Sequence, residues 1–348
     1  MTAATTAKAA EAQAAASSDA PAVMRERRRS LSIPENFRPV VGAAVFFIVM
    51  MAIFVVASPR VFLDVGIFSA VFLSLPIFVI LGLGLVFVTV AGESDLSFPS
   101  VVPLCGLAYS VTFEWLNFNF FASLVAALAV GVMCGWLNGL LVTRLGLSSL
   151  ITTLGMNFAL IGLTHVLNRG EIRIFSEFND SRIRHAIVGS WGPIPSQMFW
   201  AAGIALVLGL IFHRHKYGIH AHIAGDNPEA GRAMGINIER TKTIAFVIVG
   251  VCSALAAVIA ILLNSTYYAT MGEGLLLPVL AGVFVGGTPV GGGRGTIGGL
   301  VIGAATVVFI QTGVVAIGLD GYYTSLGFGV VIVLSLLGHR RFSGRLTR

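Results

Sequence analysis

Ten stretches of nearly unbroken apolar residues govern what this sequence can become: 40–57, 67–90, 97–112, 120–142, 150–167, 198–212, 244–263, 275–286, 297–317 and 322–337. A hydrocarbon layer about 30 Å thick takes roughly 20 such residues in an α-helix. Inside it, only helices and closed barrels satisfy their own backbone. The runs predict an all-α polytopic membrane protein of about ten transmembrane helices. Two runs are short, as broken or re-entrant segments would be. Composition agrees, with 56% hydrophobic and 11% charged residues against about 25% charged in soluble domains. The 41 glycines suit helices that approach closely through small residues.

The basic residues set the orientation. With the N-terminus in the cytoplasm, 17 of the 22 Lys and Arg fall on the inner side, and only Arg60, Arg169, Arg173, Arg182 and Arg184 fall outside. Positive charge concentrates on the cytoplasmic side of membrane proteins, so both termini are expected there. The same ledger accounts for the net charge of +6 without a nucleic-acid partner. Three parts follow: a disordered basic tail over 1–38, a membrane domain over 39–338 and a basic tail over 339–348. Met24, just before Arg25, is an alternative start. The run at 40–57 is too long for a cleavable signal, and no small-residue cleavage site follows it.

The longest polar interruption on the inner side is 218–243, and it contains a short helix with its ends written in. Asp226 or Asn227 can cap it, Pro228 suits its first position, and Glu229 places negative charge at the positive end of its dipole. Gly235 can take the left-handed conformation that stops it. A helix over 228–234 is only about 10 Å long at 1.5 Å per residue, and one so short needs outside support. It is either a surface turn or a peg that docks in a groove of a partner protein. The polar stretch 168–197 on the outer side reads as a solvated loop or as a landing surface for an extracytoplasmic partner.

Within the membrane domain, Asp95 lies between two apolar runs with Glu93, Ser94, Ser97 and Ser100 around it and Pro99 breaking the helix. An ionised carboxylate deep in a bilayer costs about 2.5–3.5 kcal/mol on the insertion scale and marks a cavity or polar interior. The alternative is a cytoplasmic turn. Gly131, Gly135 and Gly139 recur every fourth residue and lay bare one helix face for packing. Asn138 and Asn157 serve either hydrogen bonding between helices or contact with a substrate. The GxGxxG match at 293–298 lacks its strand and its later acidic residue, and reads as a tight inner turn carrying Arg294. No GxxxxGK[ST] phosphate loop occurs. His213, His215, His220 and His222 cluster without the other elements of a zinc module, so no metal site is assigned. Cys105, Cys134 and Cys252 all lie in apolar runs and read as small buried hydrophobes. No catalytic set stands out.

Four motifs then combine. ESDLSFPS at 93–100, LNGLLVTRLGLSSLITTLG at 137–155, GDNPEAGRAMGI at 225–236 and GGTPVGGGRGT at 286–296 follow in the order and membrane placement of a known family. The chain resembles, over residues 39–337, the membrane permease subunit of bacterial ABC importers of the ribose and simple-sugar class. Members of that family typically read GIDLSVGS, LNGLLVxRxGxxxFIxTLG, GxNPEAARLAGI and GGTSxxGGRGS. The resemblance implies a multi-pass protein of the bacterial inner membrane that moves a monosaccharide or similar small polar solute and is not itself an enzyme. It implies a second permease copy or paralogue, a cytoplasmic ATPase holding the ATP and Mg, and an extracytoplasmic substrate-binding protein. It places Gly225, Asn227, Pro228, Glu229, Ala230, Ala233 and Gly235 in a coupling helix seated in the ATPase. It places Asp95 and Ser97 along the substrate path, for which Phe98, Asn138 and Asn157 are the further candidates in this sequence.

Departures from the family pattern fall at Ser94, Phe98 and Pro99, at Ile161 where an Arg is common, and at Leu276 and Pro278 where acidic residues are common. They bear on the substrate more than on the fold. Nucleosides, polyols, branched-chain amino acids and a furanone signal stand as alternative cargoes. The rival of another class is an ion-coupled carrier or channel using Asp95.

Overall fold

A computed structural model describes residues 38–343, except 118 and 179. The tails expected at 1–38 and 339–348 lie largely outside the described residues. In order, the chain forms α1 (Arg38–Ala57), α2 (Pro59–Phe62), α3 (Val65–Val90), α4 (Phe98–Trp115), α5 (Phe120–Thr143) and α6 (Ser149–Asn168). A compact polar segment follows, with β1 (Arg173–Ile174), a 3-10 turn at Ser176–Phe178, α7 (Arg182–Val188), β2 (Ser190–Trp191) and β3 (Ile194–Pro195). The second half comprises α8 (Ser196–Arg214), α9 (Lys216–Asp226), α10 (Pro228–Ala233), α11 (Ile238–Asn264), β4 (Thr266–Tyr267), α12 (Leu276–Val285), α13 (Ile297–Ala316) and α14 (Tyr322–Ser343). The protein is a polytopic, all-α membrane protein.

Among the described residues, seven helices are long and apolar enough to cross a bilayer: α1, α3, α5, α6, α8, α11 and α13. The other expected runs correspond to α4, at 18 residues, and to the shorter apolar segments of α12 and α14. The 10 residues of α12 reach only about 15 Å at 1.5 Å per residue. The chain before it is irregular and is packed against α4 at the buried Gly272. A β-carbon on Gly272 would lie 1.7 Å from the Pro99 carbonyl oxygen and 2.9 Å from Pro103 Cδ. Non-helical backbone at such depth is tolerated when protein covers it.

The centre of the bundle is α3, buried at every residue from Phe78 to Val90. It packs on α11, α13, α8 and α12, which is why its sequence is apolar on all sides and not on one stripe. The glycine stripe of α5 meets α11. A β-carbon on Gly131 would lie 2.3 Å from the Gly250 carbonyl oxygen, one on Gly135 2.3 Å from that of Phe246, and one on Gly139 2.8 Å from Thr243 Cα. Backbones so close gain dispersion contacts that no side chain could leave room for. The same device joins α12 to α13, where a β-carbon on Gly303 would lie 2.0 Å from the Gly282 carbonyl oxygen.

Two polar stretches prove more ordered than their sequences indicate. Helix α11 starts at Ile238, six residues ahead of its apolar run, because Asn237 Oδ1 accepts from the Arg240 amide at 2.8 Å. The first half of 218–243 is not loop but the helix α9. At the opposite end, 168–197 forms a folded cover, not a bare solvated loop: β1 pairs antiparallel with β4, and β2 with β3. Phe175 and Phe178 set their rings edge-on to Phe113 at 5.4 and 4.9 Å, and Arg184 Nε donates to the Leu262 carbonyl at 2.9 Å. Arg173 pairs with both Glu114 and Glu171.

Candidate functional site

Residues 91–97 connect α3 to α4 without regular structure, and this segment carries the first cluster. Asp95, Ser97 and Asn138 are 2%, 0% and 0% exposed. Asp95 Oδ1 accepts from the Ser97 amide and from Ser97 Oγ, both at 2.7 Å. Ser97 Oγ in turn accepts from Asn138 Nδ2 of α5 at 2.7 Å. Asp95 is thus no free cytoplasmic turn residue. It is held in the bundle by donors, as a buried carboxylate must be. Asn138 Oδ1 is buried with no partner among the described residues. Phe98, fully buried, occupies the first position of α4 beside this trio.

Helix α6 closes the segment from its other side, through residues that sequence reasoning missed. Thr153 Oγ1 accepts from the Leu96 amide at 3.0 Å and Ser149 Oγ from the Ser94 amide at 3.2 Å. The available signal was two hydroxyls four residues apart on one helix face. Asn157 lies one turn beyond Thr153. Its Oδ1 is buried and also lacks a partner, and it makes no hydrogen bond to the Asp95 trio. Glu93, at the head of the segment, forms an ion pair with Lys242 of α11 at 2.6 Å, with both side chains mostly buried. Cations and carboxylates that leave water together in this way hold two elements in register.

The second cluster is the arm made by α9 and α10. Asn227 Oδ1 accepts from the Ala230 amide at 3.0 Å, Pro228 fills the first position, and Met234 ends the helix one residue earlier than expected. Gly235 has φ +79°, in the left-handed region. The arm sits on Gly231, where a β-carbon would lie 2.9 Å from Ile238 Cδ1 and 3.0 Å from Ile223 Cγ2. That leaves Glu229, Ala230, Ala233 and Met234 exposed. Met234 is 63% exposed, a large apolar side chain left bare on the face away from the bundle.

Backbone contacts join the arm to the first cluster. A β-carbon on Gly225, the next-to-last residue of α9, would lie 2.0 Å from the Val90 carbonyl oxygen and 2.6 Å from the Gly293 amide nitrogen. That amide donates to the Val90 carbonyl at 2.9 Å. Gly92 and Gly292 complete the junction, both with positive φ; a β-carbon on Gly292 would lie 2.7 Å from Gly92 Cα. His222 Nδ1 lies 3.0 Å from the Gly293 carbonyl oxygen, and its ring packs edge-on to Phe212 at 4.9 Å. The GxGxxG stretch is therefore a packing turn, and His222 is engaged in it. Among the described residues, no group of three or more His, Cys, Asp or Glu is placed to hold a metal. The three cysteines are free and buried.

The arrangement is one of hydrogen-bonding groups and mechanical contacts. Comparisons with known proteins agree with it. Residues 67–336 match the family described as branched-chain amino acid transport system / permease component. The ribose import permease protein RbsC of Escherichia coli K12 is 29% identical over 296 residues, covering 83% of this chain and 90% of that protein. The autoinducer 2 import system permease protein LsrD of Enterobacter sp. strain 638 is 28% identical, covering 74% and 80%. The D-allose transport system permease protein AlsC of Escherichia coli K12 is 27% identical, covering 86% and 91%. No solved structure matches. A bundle with a buried polar trio, an exposed capped short helix and a match across most of its length is a multi-pass membrane permease: the chain belongs to the branched-chain amino acid transport system / permease component family.

Proposed function

We propose that this chain is the membrane-spanning half-channel of an ATP-driven importer for a sugar-like solute. Ten crossings place both termini in the cytoplasm, with α4, α14 and the broken segment leading into α12 supplying the three beyond the seven long apolar helices. ATP and Mg belong to a separate ATPase that grips α10, and a second permease copy or paralogue completes the pore. A substrate-binding protein delivers cargo at the face bearing α7. The charge distribution supports this orientation.

The observation that carries the reading is the glycine junction of Val90, Gly92, Gly225 and Gly293. A push on α10 has no compressible side chain to spend itself in before it reaches the end of α3 and the Asp95 segment. The trio of Asp95, Ser97 and Asn138 offers acceptors and a donor suited to hydroxyl groups once the helices part. The named cargoes of the relatives, ribose and allose among them, favour a polyhydroxy solute over an aliphatic amino acid. The experiment is to purify the chain with its companions, identify them by mass spectrometry, and measure uptake of labelled ribose, allose and leucine into proteoliposomes. ATP-dependent uptake of a sugar with no uptake of leucine supports the reading. Uphill uptake by the chain alone on an ion gradient refutes it.

A further inference from the structure

At the α10 end of the bundle, α5 and α11 enclose a cleft of about 520 Å³. Its walls are one face of each helix: Trp136 and Leu140 from α5 with Arg144 capping its end, and Arg240 and Ile244 from α11. The helices are clamped beside it, where Thr143 Oγ1 and Thr243 Oγ1 lie 3.2 Å apart. Two guanidinium groups and one carboxylate line the cleft. That carboxylate, Glu239, is neutralised by Arg232, whose Nη2 donates at 2.9 Å. The guanidinium groups of Arg144 and Arg240 have no hydrogen-bond or ion-pair partner among the described residues. Trp136 is 51% exposed and stands two turns from Arg144 on the same face, on the side of the apolar run.

We propose that this cleft is a binding site for the headgroup of an anionic phospholipid. Arg144 and Arg240 take the phosphate, and Trp136, Leu140 and Ile244 take the first part of an acyl chain. The order along α5, an indole followed by a cation about two turns on, matches the order of a lipid from chain to phosphate. Tryptophan favours that interfacial depth, and basic residues between helices at the membrane edge recognise anionic headgroups. Arginine forms paired bonds to phosphate oxygens that a lysine cannot match. The occupant is amphiphilic because the cleft has both an apolar wall and a cationic one. A free phosphate or nucleotide would leave the apolar wall in water. The site is independent of the transport reading, since it needs only that α5 and α11 meet a leaflet at this end.

The test is native mass spectrometry of the full chain titrated with phosphatidylglycerol or phosphatidylcholine of the same chains, with inorganic phosphate and ATP as further arms. Wild-type protein should bind phosphatidylglycerol in preference to phosphatidylcholine. The Arg144→Gln/Arg240→Gln variant should lose about thirtyfold of that affinity, as expected for two basic residues facing an anionic headgroup. An Arg214→Gln control should retain it. A melting temperature for the double variant in phosphatidylcholine equal to that of wild type shows that its fold is kept. Arg144→Lys/Arg240→Lys provides a second probe, retaining part of the preference if the double Gln variant fails to fold. Equal phosphatidylglycerol affinity in wild type and the Gln variant overturns the proposal. So does tight binding of ATP or phosphate that competes with the lipid, or loss of ATPase co-purification with lipid binding unchanged.

Discussion

The α-carbon of Gly225 faces the carbonyl oxygen of Val90 so closely that a β-carbon there would lie 2.0 Å from it. The Gly293 amide nitrogen, bonded to that same carbonyl, would be 2.6 Å away. Both neighbours are backbone, so neither can swing aside. The arm that carries α10 thus meets the last residue of α3 backbone to backbone.

The first prediction is drawn from that contact. Gly225→Ala should destabilise the arm by about 1–3 kcal/mol, the usual cost of forcing a methyl group into a packed site. In the transporter it should lower coupled uptake while the chain still inserts. Thermal unfolding in detergent and vesicle uptake measure the two effects. Gly235→Ala is the contrast: nothing lies near its β-carbon position, and its cost comes from φ +79° alone.

Replacing Glu229 by Arg tests the docking role of α10. Glu229 lies in the first helical turn and faces away from the bundle. Arginine there opposes the helix dipole by a few tenths to 1 kcal/mol, too little to unfold the protein. If α10 seats in an ATPase, the substitution should reduce ATP-driven uptake about tenfold or more, the effect of 1.4 kcal/mol at an interface. Normal uptake with normal insertion would remove the docking role.

The short helix α10 and the apolar runs were legible in the sequence because each rests on local chemistry. A cap, a proline and a glycine delimit α10, and length with hydrophobicity delimits α3, α5 and α13. The glycine spacing of α5 marked a packing face, although the sequence did not reveal that α11 is its partner. What could not be read is what depends on distance along the chain. Glu93 and Lys242 are 149 residues apart, and nothing in either neighbourhood marks the other. Helix α9 and the first turns of α11 are polar, so no apolar periodicity announced them. The 168–197 segment folds because Phe175 and Phe178 find Phe113, a contact without local cause. Thr153 resembles any hydroxyl in an apolar helix until its bond to the Leu96 amide is seen.

The Glu93–Lys242 pair lends itself to a double-mutant cycle. Both side chains are under 20% exposed, so removing one partner leaves a charge in a poor solvent. Glu93→Gln and Lys242→Met should each lower the melting temperature. The double variant should recover part of the loss, with a coupling of about 0.5–3 kcal/mol. Strict additivity of the single effects would mean that the ion pair does not tie the Asp95 segment to α11.

Asp95 gives the sharpest distinction between a structural carboxylate and one the cargo meets. Asp95→Asn keeps a carbonyl oxygen able to accept from the Ser97 amide, whereas Asp95→Ala leaves that amide and Ser97 Oγ without their acceptor. An unsatisfied buried donor costs about 1–3 kcal/mol, so the Ala variant should melt lower than the Asn variant. If the trio only fastens α4 to α5, uptake should follow stability and Asp95→Asn should transport almost normally. If the carboxylate receives hydroxyl groups of the solute, Asp95→Asn should fold like wild type and still lose most of its uptake, because a neutral amide accepts more weakly than a charged carboxylate. Measured side by side, melting and uptake of the two variants separate these roles. A carrier driven by protons through Asp95 would make the Asn variant insensitive to a pH gradient that drives the wild type, whereas an ATP-driven gate shows no dependence on that gradient in either.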